Sequence, residues 1–146
     1  MKTSNKGIEL IKGFESLHLD SYMCPAGCLT IGWGHTKGVR EGQRISLTEA
    51  EKLLKDDIAA VESCISKIAS LKQHQFDALV SFVFNVGVQA FENSTLKRLV
   101  IANKDDTAIV NEFMRWIYGT VGGRKVVLPG LERRRKAEAD MYIKKT

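Results

Sequence analysis

Three side chains in the first thirty positions have types and spacing that suit acid–base chemistry: Glu15, Cys24 and Thr30. Glu15 lies between Phe14 and Leu17, and burial beside such apolar residues disfavours a charged carboxylate, which suits a general acid near neutral pH. Hydrolysis of a glycosidic bond needs such an acid and a second group that activates water or attacks the sugar. Cys24 and Thr30 are candidates for that second role if the chain folds back over Glu15.

Each of these residues also has an ordinary structural interpretation. A glutamate most often lies on the surface, and a lone cysteine most often packs as a small apolar residue. The spacing alone does not choose between catalysis and these roles.

The elements that must position these residues are visible as changes in periodicity. Apolar residues at helical spacing predict a first helix over about residues 4–14, with Ser4 or Asn5 as its N-cap. The glycine-rich stretch SYMCPAGCLTIGWGHTKGV at 21–39 then predicts a small twisted antiparallel sheet within about residues 18–45.

A helical body is expected over about residues 47–146. Thr48 and Glu51 have the spacing of a capping box at its start. The apolar run QHQFDALVSFVFNVG predicts a buried central helix that ends at Gly87. Further short helices are expected around 95–102, 106–117 and 131–143, and the segment Gly119–Gly130 is the one long loop candidate. The sequence thus predicts one mostly helical α+β domain spanning residues 1–146.

Composition narrows the function classes. The chain has 146 residues, a formal net charge of +5 and a pI near 9.2, which suits either a solvated surface or a polyanionic partner. Its most apolar stretch, ALVSFVFNVGV, is far shorter than the roughly 20 residues of a membrane span, so no stable membrane insertion is expected. No Cys/His cluster has metal spacing, so no metal site is predicted. The basic run LERRRKAE lacks interleaved aromatic residues, and no nucleic-acid partner is expected.

Several blocks of the sequence resemble one known family. Glu15, Cys24 and Thr30, with eight and then five residues between them, resemble the active-site pattern of the phage-type lysozymes of glycoside hydrolase family 24. The stretch at 21–39 resembles the family's hairpin, and QFDALVSFVFNVG, FENSTLKRL and LPGLERRRKAEADMY resemble its later blocks in the same order. The resemblance implies a lysozyme-like fold, with a small N-terminal β-sheet subdomain, a helical C-terminal lobe and the active cleft between them.

The resemblance also implies an activity. It is that of a muramidase, which hydrolyses the β-1,4 bond between N-acetylmuramic acid and N-acetylglucosamine in peptidoglycan, with Glu15 protonating the leaving oxygen and no cofactor. The family usually has aspartate where this chain has Cys24, and it also tolerates cysteine. Cys24 is then a weak base, a polar group that holds water with Thr30, or a nucleophile, and we favour the water-holding role. A lytic transglycosylase and a non-catalytic cell-wall-binding or membrane-disrupting protein stay open as alternatives.

Further site residues follow from the same resemblance. Phe84, Asn85 and Ser94 match positions near the sugar-binding groove, although Phe84 and Asn85 equally suit core packing and a helix cap. His35 matches a position that pairs with a carboxylate at Asp57, which we interpret as structural support.

Two features of the supporting residues are left open. One of Arg133, Arg134 or Arg135 is expected to pair with Glu15, without a choice among them. A disulfide from Cys24 to Cys28 or Cys64 would give redox control, but three free thiols are favoured because the expected compartment is reducing.

The resemblance finally implies a phage endolysin acting as a monomer on glycan strands. The N-terminal residues lack the apolar core of a secretory signal. The protein is therefore expected in the host bacterial cytoplasm before lysis, and a holin is expected to release it to the cell wall in the periplasm.

Overall fold

The structure is a computed structural model that describes residues 1–144; positions 145 and 146, the end of the expected helical body, lie outside the described residues. Within that range the chain forms seven helices and two two-stranded sheets. In chain order these are α1 (Asn5–Glu15), β1 (His18–Met23), β2 (Leu29–Gly32), α2 (Leu47–Ile65), α3 (Gln73–Val86), α4 (Val88–Glu92), α5 (Thr95–Ile101), α6 (Asp106–Phe113), β3 (Tyr118–Val121), β4 (Arg124–Val127) and α7 (Pro129–Tyr142). The predicted mostly helical α+β class is confirmed.

The helix α1 carries the candidate acid at its last position. Ser4 is its N-cap and accepts a hydrogen bond from the Gly7 amide, as one of the two predicted caps. Ile11 is fully buried on the inner face. The helix stops at Glu15 because the next residue, Ser16, takes a positive φ of 31°.

The predicted sheet is an antiparallel hairpin of β1 and β2, extended by two isolated bridges, Asp20 to Arg44 and Ile31 to His35. The helical lobe is built around α3, which packs against α1, α2 and α7. Eight of its residues are buried, and it ends at Gly87 with φ 96°, as the apolar run predicts. None of the helices in residues 1–144 combines the length and apolarity needed to cross a membrane.

Two local predictions are wrong. The capping box at the start of α2 uses Ser46 and Glu49, because the helix begins at Leu47 rather than after Thr48; Glu51 instead forms an ion pair with Lys12. The segment predicted as a long loop contains a second antiparallel hairpin.

That second hairpin consists of β3 and β4, in which Tyr118 pairs with Val127 and Val121 pairs with Arg124. Gly122 and Gly123 both have positive φ, 57° and 77°, which is the conformation that a two-residue hairpin turn requires. The strands are largely exposed, so no buried stripe marks them in the sequence.

The two glycines of α1 give a matched test of the packing around the N-terminal helix. A Cβ on Gly13 would meet nothing within 4 Å, whereas one on Gly7 would lie 2.7 Å from Thr3 Cγ2 and 2.9 Å from Asp77 Cγ. We expect Gly13→Ala to raise the free energy of unfolding by about 0.5–1 kcal/mol, because alanine has less backbone freedom to lose. Gly7→Ala should lower it by about 1–3 kcal/mol through overpacking. Urea unfolding measures both, and equal effects at the two positions would contradict this description.

Candidate active site

Glu15 lies on the wall of an open cleft of about 550 Å³. Its side chain is 17% exposed, so the carboxylate is reachable from the cleft but largely enclosed by protein. Phe14 and Leu131 supply apolar lining, and Asn85 and Arg134 supply polar lining. Of the two apolar neighbours expected from the sequence, Phe14 lines the cleft with Glu15, whereas Leu17 is exposed and does not line it.

Arg134 is the arginine that pairs with Glu15. Its Nη1 donates to Glu15 Oε2 at 3.2 Å, and its side chain is 4% exposed. The rotation of α7 separates it from its neighbours in the sequence. Arg133 is exposed at the cleft, and Arg135 is fully buried and donates from Nη2 to Asn85 Oδ1 at 2.8 Å.

The turn after β2 presses its backbone against the same carboxylate. Ile31 and His35 exchange two backbone hydrogen bonds of 2.9 Å, and Gly32 and Gly34 take positive φ values of 67° and 77° between them. A Cβ on Gly34 would lie 3.2 Å from Glu15 Oε1. Glycine is therefore needed at position 34 both for its backbone conformation and for the close approach of the acid.

His35 anchors this turn to α2. Its Nδ1 lies 2.8 Å from Asp57 Oδ2, so the expected contact is present, and its Nε2 lies 2.8 Å from the Lys37 carbonyl oxygen. Both ring nitrogens are thus engaged by protein oxygens. These contacts hold the ring in place, which agrees with a supporting rather than catalytic place for it.

Cys24 and Thr30 lie on the β1–β2 hairpin, whose far end leads into the Gly34 turn. The Cys28 amide donates to Cys24 Sγ at 3.3 Å, and the Cys24 amide donates to the Cys28 carbonyl oxygen at 2.9 Å. Thr30 is buried, and its hydroxyl donates to the same carbonyl oxygen at 3.0 Å. The hydroxyl oxygen keeps its lone pairs available, so it can accept a hydrogen bond from a water molecule.

The three thiols are free and differ sharply in environment. The backbone hydrogen bond from Cys28 lowers the pKa of the partly exposed Cys24 thiol, with a further contribution from the Ala26 backbone. Burial raises the pKa of the Cys64 thiol to about 11, assisted by its hydrogen bond to Glu92 Oε1 at 3.0 Å. Cys24 is therefore the thiol of this pair that is more readily ionised near neutral pH.

The remaining sequence candidates occupy different parts of the surface. Asn85 is exposed in the Glu15 cleft. Phe84 is half-buried and lines a smaller cavity of about 250 Å³ with Gly34 and the His35–Asp57 pair. Ser94 lies in a third cavity, where its side chain caps α5 by accepting from the Lys97 amide.

A further groove joins the Glu15 cleft to the cavity of Ser94, and no sequence pattern predicts it. About 500 Å³ in volume, it shares Asn85 with the Glu15 cleft and Trp116 with the cavity of Ser94. Tyr118 and Lys125 of the second hairpin line it, with Lys125 Nζ 4.6 Å from the Tyr118 ring centroid. The sequence does not single out these residues, because the short exposed strands that carry them resemble a loop. The aromatic residues beside the Gly-Gly turn are the signal that indicates a hairpin there.

Comparison with known proteins identifies the family. Residues 12–138 match the phage lysozyme family, which is most of the chain. The chain belongs to the phage lysozyme family.

Similar proteins agree with this membership. An endolysin of Acyrthosiphon pisum secondary endosymbiont phage 1 is 41% identical over 145 residues, covering 97% of this chain and 98% of that protein. An endolysin of Bacillus phage B103 is 39% identical over 148 residues, and the chain spans only 54% of its length. The solved muramidase domain of SpmX from Asticaccaulis excentricus is 37% identical, the match covers 97% of each chain, and the two structures superpose with a TM-score of 0.90. The fold is therefore lysozyme-like, as expected.

Membership in the phage lysozyme family makes the chain a lysozyme-type glycoside hydrolase. Its endolysin relatives make it a peptidoglycan-lytic enzyme of the phage endolysin type.

The contrast between Cys24 and Cys64 predicts selective modification. We expect iodoacetamide at pH 7 to label Cys24 and to leave Cys64 unlabelled in the folded protein. Because the pKa of Cys24 is lowered on folding, its labelling rate should reach half of its maximum at a lower pH than in the urea-unfolded chain. Peptide mapping by mass spectrometry follows each site separately. Equal labelling of the two sites, or an unchanged midpoint for Cys24, would contradict the environments described here.

The His35–Asp57 pair predicts a loss of stability that exceeds the loss of turnover. Asp57→Asn keeps the shape but removes the charged acceptor of the ring, so the free energy of unfolding should fall by about 1–2 kcal/mol. Lytic activity measured well below the melting temperature should fall by less than about threefold. If Asp57→Asn has an unchanged melting temperature but strongly reduced lytic activity, the pair takes part in catalysis instead.

Proposed function

We propose that the chain is an N-acetylmuramidase that hydrolyses the β-1,4 bond between N-acetylmuramic acid and N-acetylglucosamine in peptidoglycan. The observation that carries the proposal is the enclosed Glu15 carboxylate in an open cleft, held by Arg134 on one side and by the Gly34 turn on the other. A carboxyl group fixed in this way at the wall of a groove is placed to protonate a glycosidic oxygen.

The proposed reaction uses Glu15 as the general acid. Its proton passes to the glycosidic oxygen as the bond from that oxygen to the anomeric carbon breaks. A water molecule held by Cys24 and Thr30, the role favoured from the sequence, adds to the anomeric carbon from the opposite face. The proton that it loses passes to the Cys24 thiolate, which extends the water-holding role to that of a weak base. The bound sugar thus inverts its configuration, and one water is consumed for each bond cleaved.

The hairpin supports the proposed role of Cys24 and Thr30 toward water. The lowered pKa of Cys24 increases the fraction of thiolate, which can accept a proton from water. Thr30 is buried and held by the Cys28 carbonyl, so its oxygen keeps a fixed place beside the thiol. An ordinary thiol is ionised only to a small extent near pH 7, whereas a carboxylate is almost fully ionised, so a modest turnover is expected.

We further propose that Asn85 and Ser94 contribute to glycan binding along the joined cavities, and that Phe84 contributes from its separate cavity beside Gly34. Asn85 is the best placed of the three, since Arg135 takes up only its Oδ1 and leaves its amide hydrogens for the ligand. Release from the bacterial cytoplasm to the cell wall through a holin is proposed from the endolysin relatives.

The test of the proposed reaction is digestion of purified peptidoglycan with mass analysis of the soluble fragments. The wild type should release fragments with hydrated reducing ends, and Glu15→Gln should lower their rate of release by at least about 1,000-fold. Glu9→Gln is the matched control, because Glu9 is an exposed glutamate of the same helix, and it should keep wild-type activity. Cys24→Ser should lower the rate by about 10- to 100-fold, because serine keeps a polar group but loses the ionisable one.

Each other outcome assigns a different function. Anhydro-sugar ends, lighter by one water, would make the protein a lytic transglycosylase. The absence of fragments from the wild type would make it a wall-binding or membrane-disrupting protein. Retention of the anomeric configuration in the first product, followed by NMR, would replace the water-activating role of Cys24 with a nucleophilic one.

A further inference from the structure

Glu138 is a fully buried carboxylate behind the cleft, and it does not contact the cleft itself. Its Oε2 accepts from Ser81 Oγ at 2.6 Å and from Arg134 Nε at 3.2 Å. Its Oε1 lies 2.7 Å from Arg135 Nε. One side chain of α7 therefore connects two arginines of the same helix with the central helix α3.

Burial makes this cluster sensitive to the loss of any member. A charge removed from water is costly unless an opposite charge and hydrogen bonds compensate it. Desolvation raises the pKa of Glu138, and the guanidiniums of Arg135 and Arg134 oppose that rise. Desolvation likewise lowers the pKa of Arg135, and Glu138 opposes it. Each charge is thus stabilised mainly by the others.

The geometry of Arg134 links Glu138 to the acid. The guanidinium is planar and rigid, so two fixed hydrogen bonds determine where its third nitrogen points. Nε is fixed by Glu138, and Nη2 is fixed by the Ser81 carbonyl oxygen at 3.1 Å. Nη1 is then directed at Glu15 Oε2. The orientation of the Glu15 carboxylate depends on a residue that lies behind the arginine.

We propose that Glu138 is a positioning residue for the hydrolysis. It orients Arg134 toward Glu15, and its negative charge offsets the positive charge of Arg134. The inference rests on the proposed role of Glu15 as general acid. Arg135 extends the same arrangement to the groove, because it joins Glu138 to Asn85.

The charges around Glu15 determine the sign of the expected effect. Helix α1 contributes Glu15 itself, α3 contributes the neutral Ser81 and Asn85, and α7 contributes Arg134, Arg135 and Glu138. The two buried arginines balance the two carboxylates, and the further positive charge of Arg133 at the cleft is exposed to water, which screens it. Without the charge of Glu138, the arginines favour the ionised form of Glu15, which has no proton to give.

The deciding experiment compares Glu138→Gln, which keeps the shape but removes the charge, with the wild type. Carboxyl titration of ¹³C-labelled glutamates by NMR should show that the midpoint of Glu15 falls by about one pH unit, a tenfold change in its ionisation constant. The alkaline limb of the activity profile on soluble glycan strands should move by a similar amount, and kcat should fall at least tenfold at pH 7. Glu138→Asp, which restores the charge, should recover most of the shift in midpoint.

The control is Asp77→Asn, which removes another buried carboxylate, on α3 where that helix contacts the start of α1. Asp77 is 2% exposed and accepts from the Ser4 amide at 3.0 Å and from Gln73 Nε2 at 2.8 Å. Its loss should lower the melting temperature and leave the Glu15 midpoint and the alkaline limb in place. If Glu138→Gln lowers only the melting temperature, as this control does, Glu138 is structural and the proposal is wrong.

Two further readouts keep the test decisive. If Glu138→Gln does not fold, Ser81→Ala replaces it: this variant keeps every charge but removes one hydrogen bond to Glu138, and it should lower kcat at least threefold with KM unchanged. An unchanged kcat would overturn the positioning role. A wild type that does not cleave glycan strands would instead reject the muramidase proposal. The failure of the proposed function is therefore distinguishable from the failure of the positioning role, which is judged on the variants.

Discussion

The ion cluster on the inner face of α7 is the interaction on which the rest of the site depends. Arg134, Arg135 and Glu138 are each at most 4% exposed, so water does not compensate their charges. The desolvation of such ions is offset only when their partners meet at hydrogen-bond distance. A rotation of α7 by one residue, about 100°, would exchange Arg134 for a neighbour and leave buried charges unpaired. The cluster therefore restricts how α7 can pack on α3. Because Arg134 lines the cleft, the cluster also restricts the position of the cleft wall beside Glu15.

The opposite wall of the cleft is held by a different kind of contact. There the backbone itself approaches the acid, at the Gly34 turn, and a short ladder of hydrogen bonds between Ile31 and His35 closes that turn. The link from His35 to Asp57 then fastens it to α2. Glu15 is thus enclosed between a charged side chain and a polypeptide backbone, both supported by regular elements. Such support holds a reacting group more firmly than a surface loop would.

Much of this arrangement is readable in the sequence where the signal is local. The caps and the apolar run locate α1 and α3 because those patterns depend on neighbours within a few residues. The second hairpin is not predictable in this way, because its strands are mostly exposed and show no alternating apolar pattern. Glu138 lies four residues after Arg134, a spacing that an exposed helical pair shows equally well. Only packing against α3 decides that this pair is buried, and the sequence does not show which side of α7 faces inward.

The bond between Glu15 and Arg134 joins residues that are 119 positions apart in the chain. During synthesis on the ribosome, α7 emerges after all the other described elements. A nascent chain that already carries Glu15, the hairpin and the central helix still lacks the counter-ion of its acid. The site of the hydrolase therefore stays incomplete until α7 is made, and fragments that stop short of α7 lack an assembled site.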